Sequence, residues 1–130
     1  MSDDSRIRIV IADDQELVRA GFTMVINSQP DMQVVGQASN GDEAIRLAEQ
    51  LTPDIVLMDV RMPIMGGYEA TRAIRETDRP DHDLPIIAMT ADAFAEDIQR
   101  CLECGMNAHI AKPIDVAELT RLLKKHSRKV

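Results

Sequence analysis

Tryptophan is absent from this 130-residue chain, and its aromatic complement is one Tyr and two Phe. The core therefore cannot be organised around large rings and has to be assembled from Ile, Val, Leu, Met and Ala. Long apolar runs are missing too: nothing approaches the roughly 20 residues needed to cross a membrane as a helix. The opening residues, Met1-Ser2-Asp3-Asp4-Ser5, are acidic and polar, which reads against a signal peptide and makes a cytoplasmic location the expectation. Positive charge is in deficit, with 15 Lys and Arg against 22 Asp and Glu, a net charge of -7. That balance argues against a nucleic-acid face and fits a site that gathers carboxylates around a cation. Cysteine is limited to Cys101 and Cys104, spaced C-x-x-C. A redox pair would sit at a helix N-terminus, where the thiol pKa falls. This pair falls near a predicted helix C-terminus, before Gly105. A zinc site would need two more ligands, and only His109 is close in sequence. Both are read as ordinary helix residues.

At 45% hydrophobic and 28% charged, the composition is that of a globular chain. The length suits a single domain over residues 1–130, with a core at about 7–125 and no output domain expected. Short apolar runs recur at Ile7 to Ala12, Gln33 to Ala38, Asp54 to Met58, Pro85 to Met89 and Ala108 to Ala111. Each has the length of a buried strand. Between them lie amphipathic stretches marked by Leu17, Ala20, Met24 and Val25; by Ala44, Leu47, Ala48 and Leu51; by Ala70, Ala73 and Ile74; by Ile98, Leu102 and Met106; and by Leu119, Leu122 and Leu123. Pro30, Asn40-Gly41, Pro53, Pro63, Gly66-Gly67, Pro80, Pro85 and Gly105 punctuate the pattern. Strict alternation of five strands and five helices predicts an α/β fold: a doubly wound five-stranded parallel sheet covered on both faces. Thr77 to Asp83 is the one loose connection. The cationic end, Lys124-Lys125-His126-Ser127-Arg128-Lys129, reads as a helix end complementing its own dipole.

In such sheets, sites form outside the carboxyl ends of the strands. Those ends carry Asp13-Asp14, Asp59, Thr90 and Lys112. Singly, Asp14 could cap a helix, Thr90 could finish a strand, and Lys112 could be a surface lysine. Asp59 is harder to dismiss, because it closes the wholly apolar run Ile55-Val56-Leu57-Met58. Three carboxylates on one edge, with no cation between them in the metal-free chain, would repel one another and raise their pKa values. Mg²⁺ (or Mn²⁺) would resolve this, keeping waters free for a phosphate. A carboxylate nucleophile then forms an aspartyl phosphate, whose oxygens need the metal, an ammonium and a hydroxyl around them.

The pieces Ile9-Val10-Ile11-Ala12-Asp13-Asp14, Leu57-Met58-Asp59-Val60-Arg61-Met62-Pro63, Met65-Gly66-Gly67, Met89-Thr90-Ala91 and Ala111-Lys112-Pro113, in this order, resemble the receiver domain of response regulators. The resemblance runs from about Ile7 to about Lys125 and implies a flavodoxin-like, CheY-like (βα)5 fold. It implies that Asp59 is the phosphoacceptor, that Asp14 ligates Mg²⁺ directly and Asp13 through water, and that the Arg61 backbone carbonyl completes the protein ligands. Lys112 would pair with the phosphoryl group, with a cis peptide at Lys112-Pro113. Thr90 would be the switch hydroxyl, and His109 stands where the family carries a rotameric aromatic. The implied partner is a sensor histidine kinase or a histidine phosphotransfer domain. Neither direct nucleic-acid binding nor a membrane is implied, and pairing with a second copy on phosphorylation stays open. The chain would be a signalling switch, not an enzyme, although it assists its own phosphorylation and dephosphorylation.

Several positions depart from the family. His109 is smaller and more polar than Tyr or Phe, which weakens coupling or makes it pH-sensitive. Gly66 replaces an acidic or amide residue and loosens its loop. Arg61 and Asp92 carry opposite charges that could pair across the site mouth. To about Met62 the chain resembles receivers joined to helix-turn-helix outputs, and from about Tyr68 those attached to hybrid kinases, so an excised or recombined receiver is one expectation. A haloacid-dehalogenase-like phosphatase would need an Asp where Arg61 stands. In a flavodoxin-like flavin binder, Asp13-Asp14 would repel the phosphate. A non-catalytic receiver scaffold keeps the site but lacks input and output, and only phosphoryl transfer separates it from a working switch.

Overall fold

The computed structural model describes residues 6–76, 79–90, 95–112 and 114–128, with the side chains of 95–97 left aside. Its strands are β1 (Ile7–Ala12), β2 (Met32–Ala38), β3 (Ile55–Asp59), β4 (Ile86–Thr90) and β5 (Ala108–Ala111). They alternate with helices α1 (Glu16–Asn27), α2 (Gly41–Leu51), α3 (Gly67–Ile74), α4 (Ala95–Cys104) and α5 (Val116–His126). All strand pairings are parallel, in the order β2-β1-β3-β4-β5. The α/β architecture read from the alternation is the one observed, and each strand lies within a residue of its predicted position.

The period-2 geometry of a strand sends successive side chains to opposite faces, and here both faces are buried. Val10, Ala12, Val56, Met58, Ile86 and Ala88 meet α2, α3 and α4 through Ala44, Ala48, Ala70, Ile74 and Cys101. Ile9, Ile11, Ile55, Leu57, Ile87 and Met89 meet Ile26 of α1 and Leu119, Leu122 and Leu123 of α5. With few rings available, branched aliphatics and Met fill both layers, and β3 is buried throughout. Cys101 and Cys104 belong to the first layer with no disulfide between them, and burial pushes the Cys104 thiol pKa up.

Two helix faces differ from the periodicity. On α1, Leu17 and Met24 are 88% and 76% exposed, and Ile26 and Phe22 pack inward instead. On α4, Leu102 is exposed while Cys101 and Cys104 are buried. In both helices apolar residues occur on more than one side, so the pattern alone does not select the packed face.

The strand order reverses direction between β1 and β3, which places the ends of these two strands side by side. Helix α3 starts hard against that edge. A Cβ on Gly67 would collide with the Asp59 carbonyl and stand 2.9 Å from Val60 Cα, so only glycine admits this approach. Gly66 is the α3 N-cap residue, and its carbonyl accepts the Ala70 amide at 3.0 Å.

Candidate active site at the carboxyl edge of the sheet

Asp13 leaves β1 fully buried, with its amide donating to the Ala38 carbonyl at 3.0 Å. Its Oδ1 accepts the Gln15 amide at 2.9 Å. Asp14, one residue on, is exposed and does not cap α1; the N-cap position is Gln15, which makes no side-chain cap bond. Asp59 ends β3 nearly buried, and its Oδ1 accepts the Arg61 amide at 3.1 Å. Carboxylate oxygens of Asp13, Asp14 and Asp59 all lie within 4.8 Å of one another.

Lys112, just past β5, closes the cluster. Its Nζ stands 3.1 Å from Asp13 Oδ2 and 3.1 Å from Asp59 Oδ2. The metal-free carboxylates are therefore not without a cation, as the sequence had suggested: the ammonium bridges two of the three. Its position follows from parallel pairing, since the Lys112 amide extends the β4–β5 ladder by donating to the Thr90 carbonyl at 2.8 Å. Burial holds the Asp59 carboxyl above its usual range, against the opposing donors from Arg61 and Lys112. Burial pulls the Lys112 ammonium down, but its bonds to Asp13 and Asp59 outweigh that and raise its pKa.

Thr90 ends β4 at 1% exposure, and its hydroxyl finds no hydrogen-bond partner among the described residues. A buried, unsatisfied hydroxyl is costly and calls for an account. His109 lies half-buried on β5, paired in register with Ala88 of β4, two residues before Thr90. The Arg61 side chain is exposed. A cleft of about 510 Å³ is lined by Asp14 and Arg61 together with Tyr68 and Arg100. Ala91, Asp92 and Pro113 lie outside the described residues, so neither the Arg61–Asp92 pairing nor the Lys112-Pro113 peptide has a structural account.

The model of the response regulator receiver domain matches residues 9–124. The chain belongs to that family. Among similar proteins, the response regulator GacA of Pseudomonas viridiflava is 37% identical over 118 residues, covering 91% of this chain and 54% of its own length. The transcriptional regulatory protein LiaR of Bacillus subtilis is 37% identical over 123 residues, covering 94% of this chain and 56% of its own. The receiver thus spans about half the length of the curated relatives it matches. Among solved structures, the receiver domain of the Pseudomonas aeruginosa sensor histidine kinase PA1611, with a magnesium ion coordinated in its active-site cleft, superposes with a TM-score of 0.82. It shares 35% identity and covers 93% of this chain and 97% of that one. The response regulator domain of Thermotoga maritima CheB gives a TM-score of 0.84 at 30% identity, covering 93% and 96%.

The donor set suits a hard divalent ion. Three carboxylates offer oxygen within one coordination sphere's reach, and no thiol or imidazole intrudes among the clustered groups. Among the described residues, no helix is long and apolar enough to cross a membrane.

Proposed function

We propose that this receiver takes a phosphoryl group on Asp59 from a phosphohistidine, in an Mg²⁺-dependent reaction, and switches conformation through Thr90. One observation carries the reading: the ammonium of Lys112 is held between Asp13 and Asp59 at 3.1 Å from each, one strand from a buried hydroxyl with no hydrogen-bond partner among the described residues. Asp13, Asp14, Asp59 and the Arg61 carbonyl would hold the Mg²⁺, which when bound screens phosphoryl oxygens and permits attack by an anion. An Asp59 carboxylate oxygen attacks phosphorus, the new O–P bond forms as the donor's N–P bond breaks, and the histidine nitrogen keeps the electron pair. Lys112 exchanges a carboxylate partner for a phosphoryl oxygen. The Thr90 hydroxyl gains a phosphoryl acceptor and draws the following loop with it, and His109 shifts in response, carrying the change to the α4–β5–α5 face.

An apolar groove between α1 and α5, which includes Leu17, Phe22, Ile114 and Val116, opens beside Lys112. It supports delivery of the phosphohistidine by a sensor kinase or phosphotransfer domain docked there, in the cytoplasm. Pairing with a second copy after phosphorylation is part of the same proposal. The test is incubation with phosphoramidate and Mg²⁺, read by intact mass. The parent should gain one phosphoryl group and Asp59→Asn none. An Asp59→Asn variant phosphorylated to the parent's extent refutes the assignment.

A further inference from the structure

Arg19 projects from α1, and its Nη1 donates to the main-chain carbonyl of Asp13 at 2.6 Å. No ion pair joins it to the Asp13 or Asp14 carboxylate among the described residues, so its grip is on the backbone. Its Nε is buried with no hydrogen-bond partner among those residues. A side chain present only to fill space would avoid that penalty by being apolar.

The charge of Arg19 is also felt at Glu43, in the first turn of α2. Glu43 accepts the Ser39 amide at 2.7 Å and the Ser39 hydroxyl at 2.6 Å, bonds that hold its carboxyl below the usual range, with the charges of Arg46 and Arg19 adding to them. The Glu43 amide donates to the Asn40 N-cap oxygen at 2.9 Å, and the Gly41 amide donates to the Met65 carbonyl at 2.7 Å, in the loop that follows Asp59. The loop that bears Asp13 and Asp14 and the loop that follows Asp59 are thus braced from outside the cluster, one by Arg19 and the other by the N-terminus of α2.

We infer that Arg19 is a positioning residue of the metal site, setting the Asp13–Asp14 main chain so that both carboxylates face one ion. The inference rests on the metal site proposed above. Electrostatics alone predicts the opposite sign: taking a positive charge away from a cation site should tighten Mg²⁺ binding. Positioning predicts weaker binding even though a repelling charge has gone.

The experiment is Mg²⁺ titration by calorimetry at constant ionic strength on the parent, Arg19→Met and Arg19→Lys, with amide hydrogen exchange on the Mg²⁺-free proteins. Arg19→Met should raise the Mg²⁺ dissociation constant about tenfold, the lower end of what loss of an outer-shell support costs. Arg19→Lys, which keeps a donor within reach of the Asp13 carbonyl, should recover most of that loss. The Gln15 amide, bonded to Asp13 Oδ1, should lose exchange protection in Arg19→Met. Should Arg19→Met not fold, Arg19→Gln replaces it with the same expectation. Binding by the neutral variant as tight as the parent's, or tighter, overturns the inference. If the parent itself ignores Mg²⁺, the metal-site reading fails, and unchanged Gln15 protection in the variant then overturns the bracing role separately.

Discussion

Replacing Lys112 with Met removes the ammonium that joins Asp13 to Asp59 while keeping much of the side-chain volume. Asp13 is fully buried and the Asp59 side chain is 10% exposed, so the variant leaves two carboxylates facing each other with little water. Removing one partner of a fully buried pair costs about 3–5 kcal/mol. The Lys112 side chain is 28% exposed, so solvent screens part of this, and roughly 2 kcal/mol is the expected loss at neutral pH. For a domain of this size that lowers the melting temperature by about 6–12 °C. The pH dependence follows from Asp59, whose carboxyl is already raised by burial and rises further without the ammonium. Because the folded pKa exceeds the unfolded one, the penalty is full above the folded pKa and disappears as pH falls toward the ordinary carboxylate value. Mg²⁺ should act in the same direction as acid. In the parent it shares the carboxylate charge with Lys112, whereas in Lys112→Met it is the only cation that the cluster meets. The Mg²⁺-induced melting shift should therefore be larger in the variant than in the parent, where ten times the dissociation constant yields about 1.4 kcal/mol. The assay is a set of thermal melts by circular dichroism with and without Mg²⁺, at neutral pH and near pH 4.5. A variant as stable as the parent without metal, or one with a smaller Mg²⁺ shift, refutes the reasoning.

Asp14→Ala should abolish the Mg²⁺ melting shift and change Mg²⁺-free stability by less than about 0.5 kcal/mol, because Asp14 is exposed while Asp13 is not; the same melts check it. Ile64 holds a φ of +66° at 87% exposure, beside a Met65 amide that bonds the Pro63 carbonyl at 2.6 Å. Ile64→Asn tolerates that left-handed backbone better and should stabilise the domain by roughly 1 kcal/mol in urea unfolding. Cys104 is buried, its thiol is raised in pKa by burial, and it donates to the Cys101 carbonyl at 3.2 Å. Iodoacetamide at neutral pH should leave both cysteines unmodified in the native protein and alkylate both in urea, as read by mass.

The α/β alternation was legible because it is a local property. Strands such as Ile55–Asp59 are apolar at every position, as burial on both faces requires, and glycines and prolines mark the turns. Asp13, Asp59, Thr90 and Lys112 were legible for the same reason: each stands at the end of a strand, and parallel strands bring their ends to one edge. The packed faces of α1 and α4 were not, because Leu17 and Leu102 are as apolar as Phe22 and Cys101, and only the neighbouring layers decide which are covered. Arg19 carried no signal at all, since its partner is a main-chain carbonyl rather than a side chain. Asp13 and Asp14 draw the division most sharply. Their being adjacent acidic residues after an apolar run is written in the sequence and makes them candidates for a cation site. That Asp13 is sealed in and tied to Lys112, while Asp14 faces solvent, depends on residues 99 positions apart meeting across a five-stranded sheet. Opposite orientations of consecutive side chains are built into any extended backbone, but which orientation is inward is set only once β2, β3 and the helices have closed around it.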